Sequence, residues 1–227
     1  MRLAIVVVCL LTLAVPLVAG SIVIRGVQGT VEVRKGVSEQ WTVVSVGDVL
    51  KPEDTIRTGE RSSAVLTVGP NRITIPDLTM VDLLDFRQIS REDFLLRLAI
   101  QDILAVPNRS DDKVVIPSAT ILHGNKKNER SPSDNLVSKT GTMLIHGARV
   151  LQDYGYVATS VLRIRSTMTL YPDVKNDLDA ILALGGGFER LNLASEAKAV
   201  YTTILSEPIP DSYRKRVVAA LERIKEQ

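Results

Sequence analysis

Few side chains in this sequence are of the types that perform catalysis or hold a metal. Histidine occurs twice, at His123 and His146. A zinc site needs three or four clustered Cys, His or carboxylate ligands, and neither histidine has such neighbours. Both are expected to be ordinary polar residues, with no metal and no other cofactor bound. Acid/base chemistry needs two carboxyl groups in unlike environments, and Asp82, Asp85, Glu92 and Asp93 offer the residue types. No charged partner accompanies them, so they read as solubilising charges at the edge of a sheet. Gly185-Gly186-Gly187 invites a phosphate-loop reading, but no Lys-Ser/Thr follows and no strand precedes it. Close helix packing is the expectation there. Asn108-Arg109-Ser110 is a glycosylation sequon, meaningful only in a eukaryotic secretory pathway. No serine lies in a Gly-x-Ser-x-Gly elbow. The chain reads as a non-enzyme, and a cryptic hydrolase would require converging carboxylates with perturbed pKa values.

Composition agrees with that modest chemistry. Of 227 residues, 28 are Lys or Arg and 26 are Asp or Glu, a net charge of +2. So even a balance argues against a nucleic-acid binder, which carries a basic stripe. Aromatic residues make up 4%, too few for base-stacking platforms. With 45% apolar and 24% charged residues, the chain is neither wholly disordered nor a multi-spanning membrane protein.

The N-terminus speaks of location. Met1-Arg2 precedes an apolar run from Leu3 to Val18, too short for a typical span of about 20 residues. Small residues follow at Ala19-Gly20-Ser21. This is the layout of a secretory signal peptide over residues 1–20, cleaved between Gly20 and Ser21. The alternative is an uncleaved anchor helix, which alone would bring the protein to a membrane. Pro16 suits the signal better, since proline breaks a helix. Cys9 lies inside the run, and Val8 before it is not the small residue a lipoprotein signal needs. Export then places the mature chain in the periplasm or outside the cell, cysteine-free and without disulfides.

From Ser21 to about Leu84 the sequence reads as short strands. Val31 and Val33 alternate with Thr30, Glu32 and Arg34; Ala64, Leu66 and Val68, then Ile73 and Ile75, continue the period of two. Gly36, Gly47-Asp48, Gly59 and Gly69-Pro70-Asn71 punctuate the run. Leu50, Ile56, Ala64 and Leu66 are expected to point inward in a β-sandwich or roll. The run Gly47-Asp48-Val-Leu50, Asp54, Ile56, Thr58-Gly59, Ser62, Ala64 and Leu66, with Trp41 and Val27-Gln-Gly29 before it, resembles the periplasmic domain of FecR-type proteins. The resemblance spans about Gly26 to Val81. It implies an extracytoplasmic module that binds or regulates. Sigma-regulating members carry a cytoplasmic domain and a transmembrane helix ahead of this module, so that role is not carried over.

Residues 90–106 read two ways. Ser90 with Asp93 is a helix cap, yet the Leu- and Ile-rich run ending at Pro107 and the FecR-like pattern favour a strand pair turning at Gln101-Asp102. Residues 113–122 are expected to be a strand, completing a β domain over residues 21–123. The polar stretch that follows marks a linker over residues 124–138.

A helical domain is expected over residues 139–227. Ile181, Leu184, Gly185, Phe188, Ala197 and Tyr201, with Pro208 and Pro210 behind them, resemble a tetratricopeptide repeat in spacing. Leu144, Gly147, Ala148, Leu151, Ser160, Ile164 and Pro172 make a weaker copy upstream, for which a generic helical hairpin is the alternative. Residues 211–227 form an amphipathic closing helix. The expected fold class is therefore β plus α in separate domains, the second built of antiparallel helical hairpins. Two repeats bury less than such arrays usually need. The remainder must come from the β module, a second copy or a partner.

The functional expectation is a bacterial envelope binding or scaffold protein. Its β module would contact a ligand, glycan or cell-wall component, and its helices an envelope protein. In a tetratricopeptide-like array, Arg149, Asp153, Glu189 and Arg190 would face that partner. The alternative is a membrane-anchored regulatory subunit of a signalling or assembly complex.

Overall fold

The computed structural model describes residues 22–105 and 132–225. The expected cleavage site at Gly20 and Ser21, His123 and the expected strand over residues 113–122 lie outside them. Eight strands come first: β1 (Ile22–Gln28), β2 (Val31–Arg34), β3 (Trp41–Val43), β4 (Val49–Leu50), β5 (Thr55–Thr58), β6 (Ser63–Val68), β7 (Asn71–Ile75) and β8 (Met80–Asp82). They form two antiparallel sheets, ordered β4-β1-β6-β7 and β3-β2-β5-β8.

The alternation of apolar residues dictates the packing of these sheets. Ile24, Leu66 and Ile73 stand opposite one another across the first sheet, and Val33, Ile56 and Val81 across the second. All are buried, as are Leu50 and Ala64. A bulge between Ile24 and Gly26 moves the inward positions of β1 by one residue. This shift pairs Val27 with Ala64 and keeps it against the core. Asp54 is buried at a chain reversal. Its two carboxylate oxygens accept the Gly36 and Lys51 backbone N–H groups at 3.1 and 2.9 Å. Those bonds satisfy donors that a turn would otherwise leave unpaired.

Helices follow: α1 (Arg91–Ala105), α2 (Pro132–Asp153), α3 (Val157–Leu170), α4 (Leu178–Arg190), α5 (Ala194–Leu205) and α6 (Asp211–Lys225). The strand pair favoured for residues 90–106 is instead the single helix α1. The Ser90 hydroxyl accepts the Asp93 N–H at 3.1 Å, and Arg97 pairs with Asp93 one turn below at 3.0 Å. Phe94 and Leu98, four residues apart, therefore reach the same buried side. The expected linker also ends earlier, because α2 begins at Pro132, a residue whose fixed φ suits a first helical turn.

The hairpins α2/α3 and α4/α5 stack in order, and α6 closes the row. Leu184, Phe188, Ala197 and Tyr201 are all buried, as their spacing requires. Two glycines of the triplet serve different neighbours. A Cβ on Gly185 would lie 2.3 Å from the Tyr201 ring, and one on Gly187 would lie 2.5 Å from a Val161 methyl. α4 is thus pressed against α5 on one side and α3 on the other.

The order β then α is as expected, but the two regions are not separate. Val150 and Leu151 of α2, with Tyr156, belong to the core between the sheets. Ile145 and Ala148, on the same helix, belong to the second core with Phe94, Val161 and Ile164. A Cβ on Gly147 would fall 2.0 Å from the Met80 carbonyl oxygen, so α2 rests directly on the backbone of β8. The β region supplies burial that two hairpins lack.

Candidate functional site

A row of polar side chains crosses the outer face of the second sheet and ends on the helices. Strand register sets Trp41, Arg34, Thr55 and Asp82 side by side. Arg34 lies 5.5 Å from the Trp41 ring centre, and Arg57 covers that ring at 4.0 Å while pairing with Glu32 at 2.8 Å. Arg34 Nη2 donates to the Thr55 hydroxyl at 3.1 Å, and that hydroxyl donates to Asp82 at 2.6 Å. Asp82 then meets Arg163 of α3 at 2.8 Å, and the same guanidinium holds Asp85 at 2.5 Å.

Asp82 and Asp85, read from sequence as solubilising surface charges, thus converge on one arginine at the junction of sheet and helices. Burial raises the Asp85 pKa from its ordinary 3.8; the Arg163 charge and hydrogen bond oppose that shift without cancelling it. Two carboxylates at a shared cation have the types needed for acid/base work. Here, though, Arg163 engages both carboxylates, and the arrangement clamps α3 to β8. Glu92 and Asp93 lie apart from this cluster in the first turn of α1.

The junction is closed by further contacts. His146 Nδ1 lies 2.9 Å from the Leu78 carbonyl oxygen, which can only accept, so that nitrogen carries a proton. The Tyr154 hydroxyl accepts the Thr74 N–H at 2.9 Å, and Asn71 donates to the Tyr156 hydroxyl at 3.2 Å. Among the described residues no group of three or more His, Cys, Asp or Glu side chains is placed to hold a metal ion.

The four expected partner-facing residues divide. Arg149 and Asp153 are exposed on α2. Glu189 is turned to internal use: it accepts the Tyr201 hydroxyl at 2.5 Å and pairs with Arg223 at 3.2 Å, tying α4, α5 and α6 together. Burial and the Glu189 bond push the Tyr201 pKa far up. Arg190 Nη1 donates to the Gln152 carbonyl at 2.7 Å, across the two hairpins.

The surface that sequence reasoning missed lies on α1. This helix packs on α3 through Phe94 and Leu98, and its flank is pinned by the Arg165–Asp102 pair. Its outward side carries Leu95, Leu96, Ile100, Ile103 and Leu104, exposed by 39–73%. Their positions fan over about half the helix circumference at 100° per residue. Beside this ridge, a groove of about 340 Å³ runs between the start of α1 and the turns joining α2 to α3 and α4 to α5. Arg91 and Arg190 line it, and no acidic residue does. The missed signal was the spread of Leu and Ile over residues 94–104, wider than the stripe one buried helix face needs.

Comparison with protein-family models, with curated proteins and with solved structures finds no match to the chain. Among the described residues no helix is long and apolar enough to cross a membrane.

Proposed function

We propose that this chain is a non-catalytic, exported scaffold or binding protein of a bacterial envelope. In this reading the FecR-like β region contacts a ligand or cell-wall component, and the helical hairpins present a protein partner with the α1 ridge. The observation that carries the reading is the ridge itself. An apolar helix face normally lies buried, and a contiguous exposed apolar patch marks an interaction site. The polar row on the sheet supports a structural rather than a catalytic role, since Glu32, Asp82 and Asp85 each hold a guanidinium. The layout of residues 1–20 supports export.

A photo-crosslinking residue in place of Ile103, 71% exposed on the ridge, tests this in cells. It should give a discrete light-dependent protein adduct, lost when Leu96→Asp is added. The same replacement at Leu170, 73% exposed at the end of α3, should give none. Equal adducts at both positions would overturn the ridge as a partner surface. Recovery of the protein in the cytoplasmic fraction would overturn the envelope assignment.

A further inference from the structure

The charged residues lining the groove beside α1 are arginines alone, whereas the neighbouring groove on the opposite flank mixes Arg87, Arg97 and Arg163 with Asp85. The 340 Å³ groove has two arginines and no acid in its lining. Among the described residues no carboxylate lies within ion-pair distance of Arg91 or Arg190, a state they share with Arg25, Arg34, Arg61, Arg72, Arg87, Arg149 and Arg214.

Both guanidiniums are nonetheless held in place. Arg91 Nη1 donates to the Leu191 carbonyl at 3.3 Å, and Arg190 Nη1 donates to the Gln152 carbonyl at 2.7 Å. Each such bond uses one of the five N–H donors a guanidinium carries. The bonds orient both planar forks, and a positioned fork fits a carboxylate better than a mobile one. The rest of the lining is mixed, with Ile89, Leu95, Val157 and Leu193 beside the polar Gln88 and Ser90. The volume lies at the lower end of the roughly 300–1,000 Å³ usual for small-ligand sites.

We propose that this groove binds a small anionic amphiphile: a monocarboxylate with an unbranched apolar tail, of medium-chain fatty-acid size. The carboxylate pairs with Arg91 and Arg190, and the tail lies along Ile89, Leu95 and Val157. Charge complementarity selects this occupant. A neutral ligand would leave two oriented cations without a counter-charge, and a cationic one would be repelled. The proposal is independent of what covers the ridge, because the ridge beyond Leu95 does not line the groove.

Titration calorimetry of the full chain with decanoate, below its micelle concentration, tests it. Decanoate should bind one to one, decanol and acetate at least tenfold more weakly, and decyltrimethylammonium not at all. Arg91→Gln, on an exposed side chain, should weaken decanoate at least fivefold and leave decanol unchanged. Leu95→Gln should weaken both. Leu96→Gln, on the ridge but outside the groove, should alter neither. Arg190→Lys, which keeps the charge, should retain most of the preference for decanoate over decanol. Equal affinity for decanoate and decanol in the unaltered protein would overturn the proposal. So would an unchanged decanoate affinity in a folded Arg91→Gln variant, or a loss of binding in Leu96→Gln.

Discussion

The Arg163 guanidinium lies 2.5 Å from Asp85 and 2.8 Å from Asp82, yet Asp85 remains harder to ionise than an ordinary aspartate. Two effects of opposite sign act on one carboxyl group. Desolvation at the junction of sheet and helices disfavours its charge, and the arginine favours it. Desolvation is the larger. An ion pair of this kind locks geometry more than it adds stability.

Arg163→Met should therefore cost about 2–4 kcal/mol, because two partly buried carboxylates then face each other without a cation. Asp85→Asn should cost less than about 1 kcal/mol, since it removes a charge the site disfavours. The pH dependence follows from the direction of the shift. Folding raises the Asp85 pKa above 3.8, so the folded chain holds that proton more tightly than the unfolded one. The Asp85 contribution to stability is fullest below 3.8 and falls as pH rises through the folded value. Urea denaturation across that range should show this slope in the unaltered protein, reduced in Asp85→Asn. An identical slope in both would refute the assignment.

The glycine triplet allows a contrast within one helix. Gly185→Ala drives a methyl group into the Tyr201 ring and should destabilise by about 1–3 kcal/mol. Gly186→Ala meets only the Tyr201 hydroxyl at 4.0 Å, an ordinary contact, and should stabilise by up to about 1 kcal/mol through helix propensity. Thermal melting of the pair should move in opposite directions. A common direction would mean that the approach of α5 to α4 is looser than described.

Adjacent residues of β6 allow a second contrast. Leu66 is fully buried between the sheets, and Thr67 accepts a hydrogen bond from Arg25 at 3.2 Å on the wet face. Leu66→Asp should cost several kcal/mol, enough to unfold the β region. Thr67→Asp keeps an acceptor near Arg25 and should change stability by under about 0.5 kcal/mol. Circular dichroism melts that coincide would show the strand register to be wrong.

How far these features were legible depended on the distance over which they act. The alternation that buries Ile56 and Leu66, and the spacing that buries Leu184, Phe188, Ala197 and Tyr201, are local patterns. Both could be read directly from the sequence. Residues 94–104 defeated that approach because apolar side chains on both the buried and the outward side leave no clean period of 3.6 to detect. The Ser90 cap was visible, but it was outweighed by a resemblance that reached only to Val81. Arg163 and Asp85 are 78 positions apart, and no local signal announces that they meet. Glu189 follows Phe188 in the helix and reads as a surface charge; only the placement of Tyr201 and Arg223 turns it inward.

Because α2 contributes side chains to both cores and rests its Gly147 backbone against β8, the described residues would act mechanically as a lever without a hinge. A load applied to the helices passes along α2 into the strands rather than being absorbed by rotation at a joint. A partner tugging on one end would be felt at the other through strain in β8. Such a body would carry a load as one piece, where a pair of loosely strung modules would realign.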